Sequence, residues 1–183
     1  MVEDDATTIT HHSGNVFVDT DPRTEGEVVC VGIIPDRVFK VMSERPFQLL
    51  ELCRQLPEGG FLWQPHRAVR SIRDILAHMM GAERFWIEHV VEGGAKPTVD
   101  ETSFTTTDGV ERSFRPVRER TVAWLDSLRE SARSETRHIG WAPHEVTLES
   151  VAWHLIIHDF HHKRQVATRL ATLGVEVPNL DML

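Results

Sequence analysis

Residues 147–174, TLESVAWHLIIHDFHHKRQVATRLATLG, are the stretch whose periodicity settles the fold class. Apolar residues recur three and four apart, the spacing that keeps side chains on one face of an α-helix. Thr147 stands as an N-cap and Gly174 as a C-terminal stop. With His158 at zero and each residue turning the helix by about 100°, Val151, Leu155, Val166 and Leu173 fall between about 20° and 80°. That sector is the buried stripe. His162 lies inside it at about 40°, and His158 sits on its edge. His154 at about −40° and His161 at about −60° lie further from its centre. Residues four apart are neighbours on a helix, so His158 and His162 can point at one atom.

Working outward, residues 71–91 repeat the pattern. Ser71, with Asp74 three residues on, is a capping-box variant. The helix runs to about Val91 and stops at Gly93-Gly94. With His78 at zero, Ile75, Met79, Ala82, Trp86 and Val90 cluster between about 40° and 120°, so His78 borders the apolar stripe. His89 shares that face but lies near the glycine end, which makes it the weaker candidate. A first helix is expected within Asp36–Leu56, with Pro46 in a first turn opened by Ser43 or at a kink. A third is expected from near Ser113, with Pro116 in its first turn, to about Ser131. The polar segment 95–112 between helices 2 and 3 is long for a helix connection and can cross the bundle. Before Asp36 the signals change. Asn15–Asp19 and Glu27–Ile34 flank turn chemistry and predict a β-hairpin ended by Pro35. The expected architecture is all-α: a four-helix bundle over residues 36–183, with a small N-terminal hairpin extension over residues 1–35. An unpartnered hairpin is marginal in water, which hints at a homodimer.

The net charge of −8 argues against an electrostatic grip on nucleic acid or anionic lipid. No apolar run approaches the roughly 20 residues needed to span a bilayer. The acidic, Thr-rich start is unlike a signal peptide. Cys30 and Cys53 form neither a zinc spacing nor a disulfide framework, which fits the cytoplasm. Histidine is the unusual residue: six of eleven lie between His138 and His162.

Three neutral imidazoles meeting at one point can each give a lone pair to a metal. They leave a fourth position open, the catalytic rather than the structural pattern. All-nitrogen ligation suits zinc, nickel, copper or iron. Against this stands a plainer reading, in which the histidines are surface or hydrogen-bonded groups. No HExxH occurs, so zincin-type proteolysis is not indicated.

The two histidine helices are similar to a known family. SIRDILAHMMGAERFWI resembles the second helix of the DinB/YfiT-like superfamily of metalloenzymes, and TLESVAWHLIIHDFHHKRQVA its fourth. The resemblance implies an up-down-down-up bundle. It also implies a divalent metal, zinc or nickel foremost, on His78, His158 and His162. It further implies a small-molecule substrate and thiol-dependent S-transfer with a low-molecular-weight thiol, with a metal-dependent hydrolase or a non-catalytic metal-binding or dimerisation module as alternatives. Around the site, His154 is a candidate acid/base or packing residue. Arg169, near 20° on the inward face, is a candidate for a substrate carboxylate or a salt bridge. Asp159 lies about 100° round from His158 and is expected to be exposed or at an interface. The tryptophans are read as packing residues.

Overall fold

Helix ends fall where side chains satisfy otherwise unpaired backbone groups. Ser71 accepts from the Asp74 amide while the Asp74 carboxylate accepts from the Ser71 amide, a reciprocal capping box. Thr147 accepts from the Ser150 amide at the start of the last helix. That helix closes at Gly174, whose φ of 84° suits a residue without Cβ. There the Val175 amide reaches Leu170 O at 3.0 Å and the Gly174 amide reaches Ala171 O at 3.1 Å, a Schellman motif.

A computed structural model describes residues 36–140 and 145–179. The expected N-terminal hairpin lies outside the described residues. Four long helices follow: α1 (Asp36–Cys53), α2 (Ile72–Arg84), α3 (Thr107–Ser127) and α4 (Leu148–Thr172). The chain continues from α2 into a π-helical segment, Phe85–Val91, so the second helix ends near the expected residue but with a wider last turn. Such segments often mark functional sites.

Two features differ from the sequence reading, the start of α3 and a short strand pair before α4. α3 opens at Thr107, six residues early, because Thr106 accepts from the Gly109 amide and nucleates the helix inside the polar connector. Pro116 therefore lies in the helix interior rather than in its first turn. Pro46 is likewise interior to α1. It has no N–H for the carbonyl of Met42, four residues back. That carbonyl instead accepts from Arg118 Nη1 at 3.3 Å. A two-stranded antiparallel pair, β1 (Thr136–Arg137) with β2 (Val146–Thr147), leads into α4 and carried no strand signal.

α1 and α2 each pack on both α3 and α4, so α1 and α2 are diagonal. The directions follow from contacts. Arg54, just past α1, grips Asp108 and Glu111 at the start of α3 at 2.8 and 2.7 Å, so these helices are antiparallel. Glu83 meets Arg118 and Glu92 meets Arg120, so the second and third helices run parallel. His78 lies against His162 and Trp86 against His154, so α2 and α4 are antiparallel. Val38 and Met42 cluster with Ala152 and Ile156, and Leu49 and Leu50 with Val166 and Leu170, so α1 and α4 run parallel. The order is up-down-down-up. Phe114, Leu49, Leu50, Ile72, Val166 and Leu170 are fully buried. Burial of each such Leu, Ile or Phe contributes roughly 1.5–3 kcal/mol. Trp86 packs as expected, but Trp153 is 36% exposed beside Ile157 at 63%. Among the described residues no helix is long and apolar enough to cross a membrane.

Candidate metal centre

α2 and α4 bring three of the histidines to one point. His158 Nε2 lies 3.2 Å from His78 Nε2 and 3.1 Å from His162 Nε2. The three ligand atoms all lie within 4.8 Å of one another. A tetrahedral ion with Zn–N bonds of 2.0–2.1 Å would hold ligand nitrogens about 3.3 Å apart, close to both short separations.

The hydrogen-bonding chemistry of the trio is incomplete without a cation. Gln165 Oε1 can only accept, so His162 Nδ1 donates to it across 2.8 Å. A neutral His162 therefore turns a bare Nε2 lone pair toward the other two rings. His158 Nε2 carries at most one hydrogen and faces two nitrogens. One proton on it cannot be well aligned with both neighbours. A cation at the centre satisfies all three lone pairs, and the donor set fits one.

The rings are held in the ligand-competent state. Burial lowers His78 to about 4, helped by the charges of Arg70 and His162. Burial lowers His158 to about 3, with the neighbouring histidines adding to it. His162 is also lowered by burial, against the raising effect of Gln165. All three are neutral at pH 7.

The other histidines are placed differently. His154 is exposed, its ring stacked on His158 at 5.5 Å and 29° and lying 4.8 Å from Trp86. The π-helical segment positions that tryptophan. His161 accepts from Gln165 Nε2 at 2.9 Å, so one glutamine links two histidines. His89 is occupied 2.7 Å from Gly94 O, outside the trio. Arg169 is part-buried, and it makes no salt bridge among the described residues.

Asp159 corrects the sequence reading. It is 2% exposed rather than at the surface. Asp159 Oδ1 lies 2.8 Å from Arg118 Nη2, and Oδ2 lies 2.6 Å from Lys163 Nζ. Arg118 also meets Glu83 at 2.6 Å. Opposite charges thus allow burial of all four side chains. The contacts are close but poorly aligned as hydrogen bonds, leaving Arg118 Nε and Glu83 Oε2 without partners. Burial pushes the Glu83 carboxyl up to about 7 despite Arg118. Asp159 and Lys163 directly follow His158 and His162, so the cluster fixes the rotation of α4 that aims both rings. Helix periodicity placed Asp159 off the main apolar stripe. Its only sequence signal was Lys163 four residues later, an ordinary surface pair in most helices.

A long-connector, up-down-down-up bundle with a histidine trio between α2 and α4 defines a class of helical proteins. The DinB family model matches residues 37–183, and the chain belongs to the DinB family. A DinB-like protein from Bacillus subtilis (YjoA) has 20% identity and a TM-score of 0.58, over 80% of this chain and 98% of that one. YfiT from Bacillus subtilis, described as a probable metal-dependent hydrolase with an unusual four-helix bundle topology, has 16% identity and a TM-score of 0.60. That match covers 77% of this chain and 88% of YfiT. A DinB-like protein from Bacillus cereus has 12% identity and a TM-score of 0.60, over 78% of this chain and 94% of that one. At these identities the likeness shows the fold alone. No curated protein matches the chain.

Proposed function

We propose that this chain is a metal-dependent enzyme acting on a small molecule, with a divalent cation, zinc or nickel, held by His78, His158 and His162. The observation that carries the reading is the convergence of three neutral Nε2 atoms from two helices. YfiT, a structural relative described as a probable metal-dependent hydrolase, supports hydrolysis as the reaction class. When bound, the cation would supply Lewis acidity and lower the pKa of a water or thiol beside it. The residues supply the rest. Three uncharged ligands leave the full positive charge in place, which favours an anionic nucleophile. Gln165 holds the His162 tautomer, and His154 stacks on His158 and offers a neutral imidazole at the exposed rim for a released proton. Cys53 is not the nucleophile: burial pushes its thiol up to about 12.

The same retained charge favours a thiolate, so S-transfer from a low-molecular-weight thiol is the second reading. The test is elemental analysis joined to a substrate screen. About one divalent ion per chain is expected, and His162→Ala should lose it. Full metal content in that variant would remove the assignment. Ester substrates, and a small thiol with an electrophile, are then assayed with and without chelator. Activity untouched by chelation would show that the metal is not catalytic.

A further inference from the structure

The antiparallel pairing of α2 with α4 sets a register. From Trp86 to His78 is eight residues back, and from His154 to His162 is eight residues on. Six further steps bring Ile72, the first residue of α2, level with Thr168, and Arg70 lies two residues beyond it through the extended Ser71, toward the end of α4 that carries Arg169. Arg169 follows His162 by seven residues, so it lies within about 20° of the same helix face. Helical side chains lean toward the N-terminus, which tips Arg169 back toward His162. Arg70 lies just before the cap of α2 and is exposed.

Neither guanidinium has a hydrogen-bond or ion-pair partner among the described residues, and Arg169 Nε is buried without one. Arg73, three residues beyond Arg70, is by contrast tied to Asp74 at 2.8 Å. A buried donor left unpaired is costly, and a planar guanidinium is matched by a carboxylate that takes two of its N–H groups. We infer that Arg70 and Arg169 form an anion subsite on the α4 C-terminal side of the histidine trio, and that the substrate carries a carboxylate there. The inference rests on the metal-site reading for its place in catalysis, but the subsite is measurable without it.

The test follows arginine Nε–H signals by NMR in the full-length 15N-labelled protein, metal-free and zinc-loaded, at pH 8 and low salt. Succinate is the probe and uncharged succinamide the control. Succinate should shift the Arg70 and Arg169 signals saturably while succinamide does not. Arg70→Gln and Arg169→Gln should each weaken binding about tenfold or more, with melting temperatures confirming that both fold. The inference is overturned if succinate moves neither signal, or binds both variants as it binds the parent. Tighter binding of inorganic phosphate through the same two side chains would replace the carboxylate assignment with a phosphate one. Succinate binding by a chain that takes up no zinc would keep the subsite and remove the metal reading. Zinc uptake without succinate binding would overturn the subsite alone.

Discussion

Gln165 stands between two histidines and determines what His162 offers. With Nδ1 engaged at 2.8 Å, only Nε2 is available to the trio. Replacing Gln165 by Leu frees the ring to rotate and to change tautomer. Loss of such a supporting partner typically costs about 10–100-fold in metal affinity. Competition with a chromophoric chelator should show that drop, with stoichiometry restored at saturating metal. Unchanged affinity would mean that the glutamine does not orient the ring. The histidines also predict a pH dependence for the metal-free protein. His78 and His158 sit at about 4 and about 3 in the fold, against an ordinary value near 6.5. Between about 6.5 and 4 the unfolded chain therefore binds more protons than the folded one. Stability is present above that window and is lost as pH falls through it. Thermal melts from pH 7 to pH 4 should show a falling midpoint, and His158→Gln should flatten the decline. A parent profile flat across that range would contradict the buried, neutral assignment. At this scale the histidines at or beside the buried stripe could be read from helix angle, and the family resemblance joined three of them into the trio that the structure gathers. The burial of Asp159 could not be read that way, because what buries it is Arg118 on another helix.

The π-helical turn and the interior prolines are features that periodicity does not report. Pro46 leaves the Met42 carbonyl open, and Arg118 from α3 fills the gap while holding Glu83 of α2 and Asp159 of α4. One side chain thereby touches three other helices. Arg118→Met would strand two buried carboxylates with Lys163 alone, a loss of about 3–5 kcal/mol for breaking a buried pair. Urea denaturation should show it as a lower midpoint. A loss below about 1 kcal/mol, the range of exposed pairs, would mean that the cluster is far more hydrated than its burial implies. Ser71→Ala, which removes one half of the capping box, should cost only about 1 kcal/mol. The early start of α3 was hidden for a related reason. Thr106, Asp108 and Gly109 are loop-forming residues by composition, and only the cap geometry turns them into a helix start.

For the whole molecule, the bundle order followed from a long second connection and was legible through family likeness as well as helix count. The β1–β2 pair was not, because two residues per strand leave no alternation to read. The three histidines come from two helices that must both be docked, so metal binding at the proposed site would be coupled to folding. Zinc at 100 times its dissociation constant should stabilise the fold by about 2.7 kcal/mol, read as a raised melting midpoint that a chelator reverses. No shift on zinc addition would place the ion, if bound, where folding does not matter. The same arrangement has a consequence for biosynthesis. His78 and His158 are separated by 80 residues of chain. During translation His78 leaves the ribosome long before His158 and His162 exist. On the proposed metal-site reading, the nascent protein would hold no three-coordinate trap for stray cations, and the choice of metal would fall to the finished chain where it completes its fold.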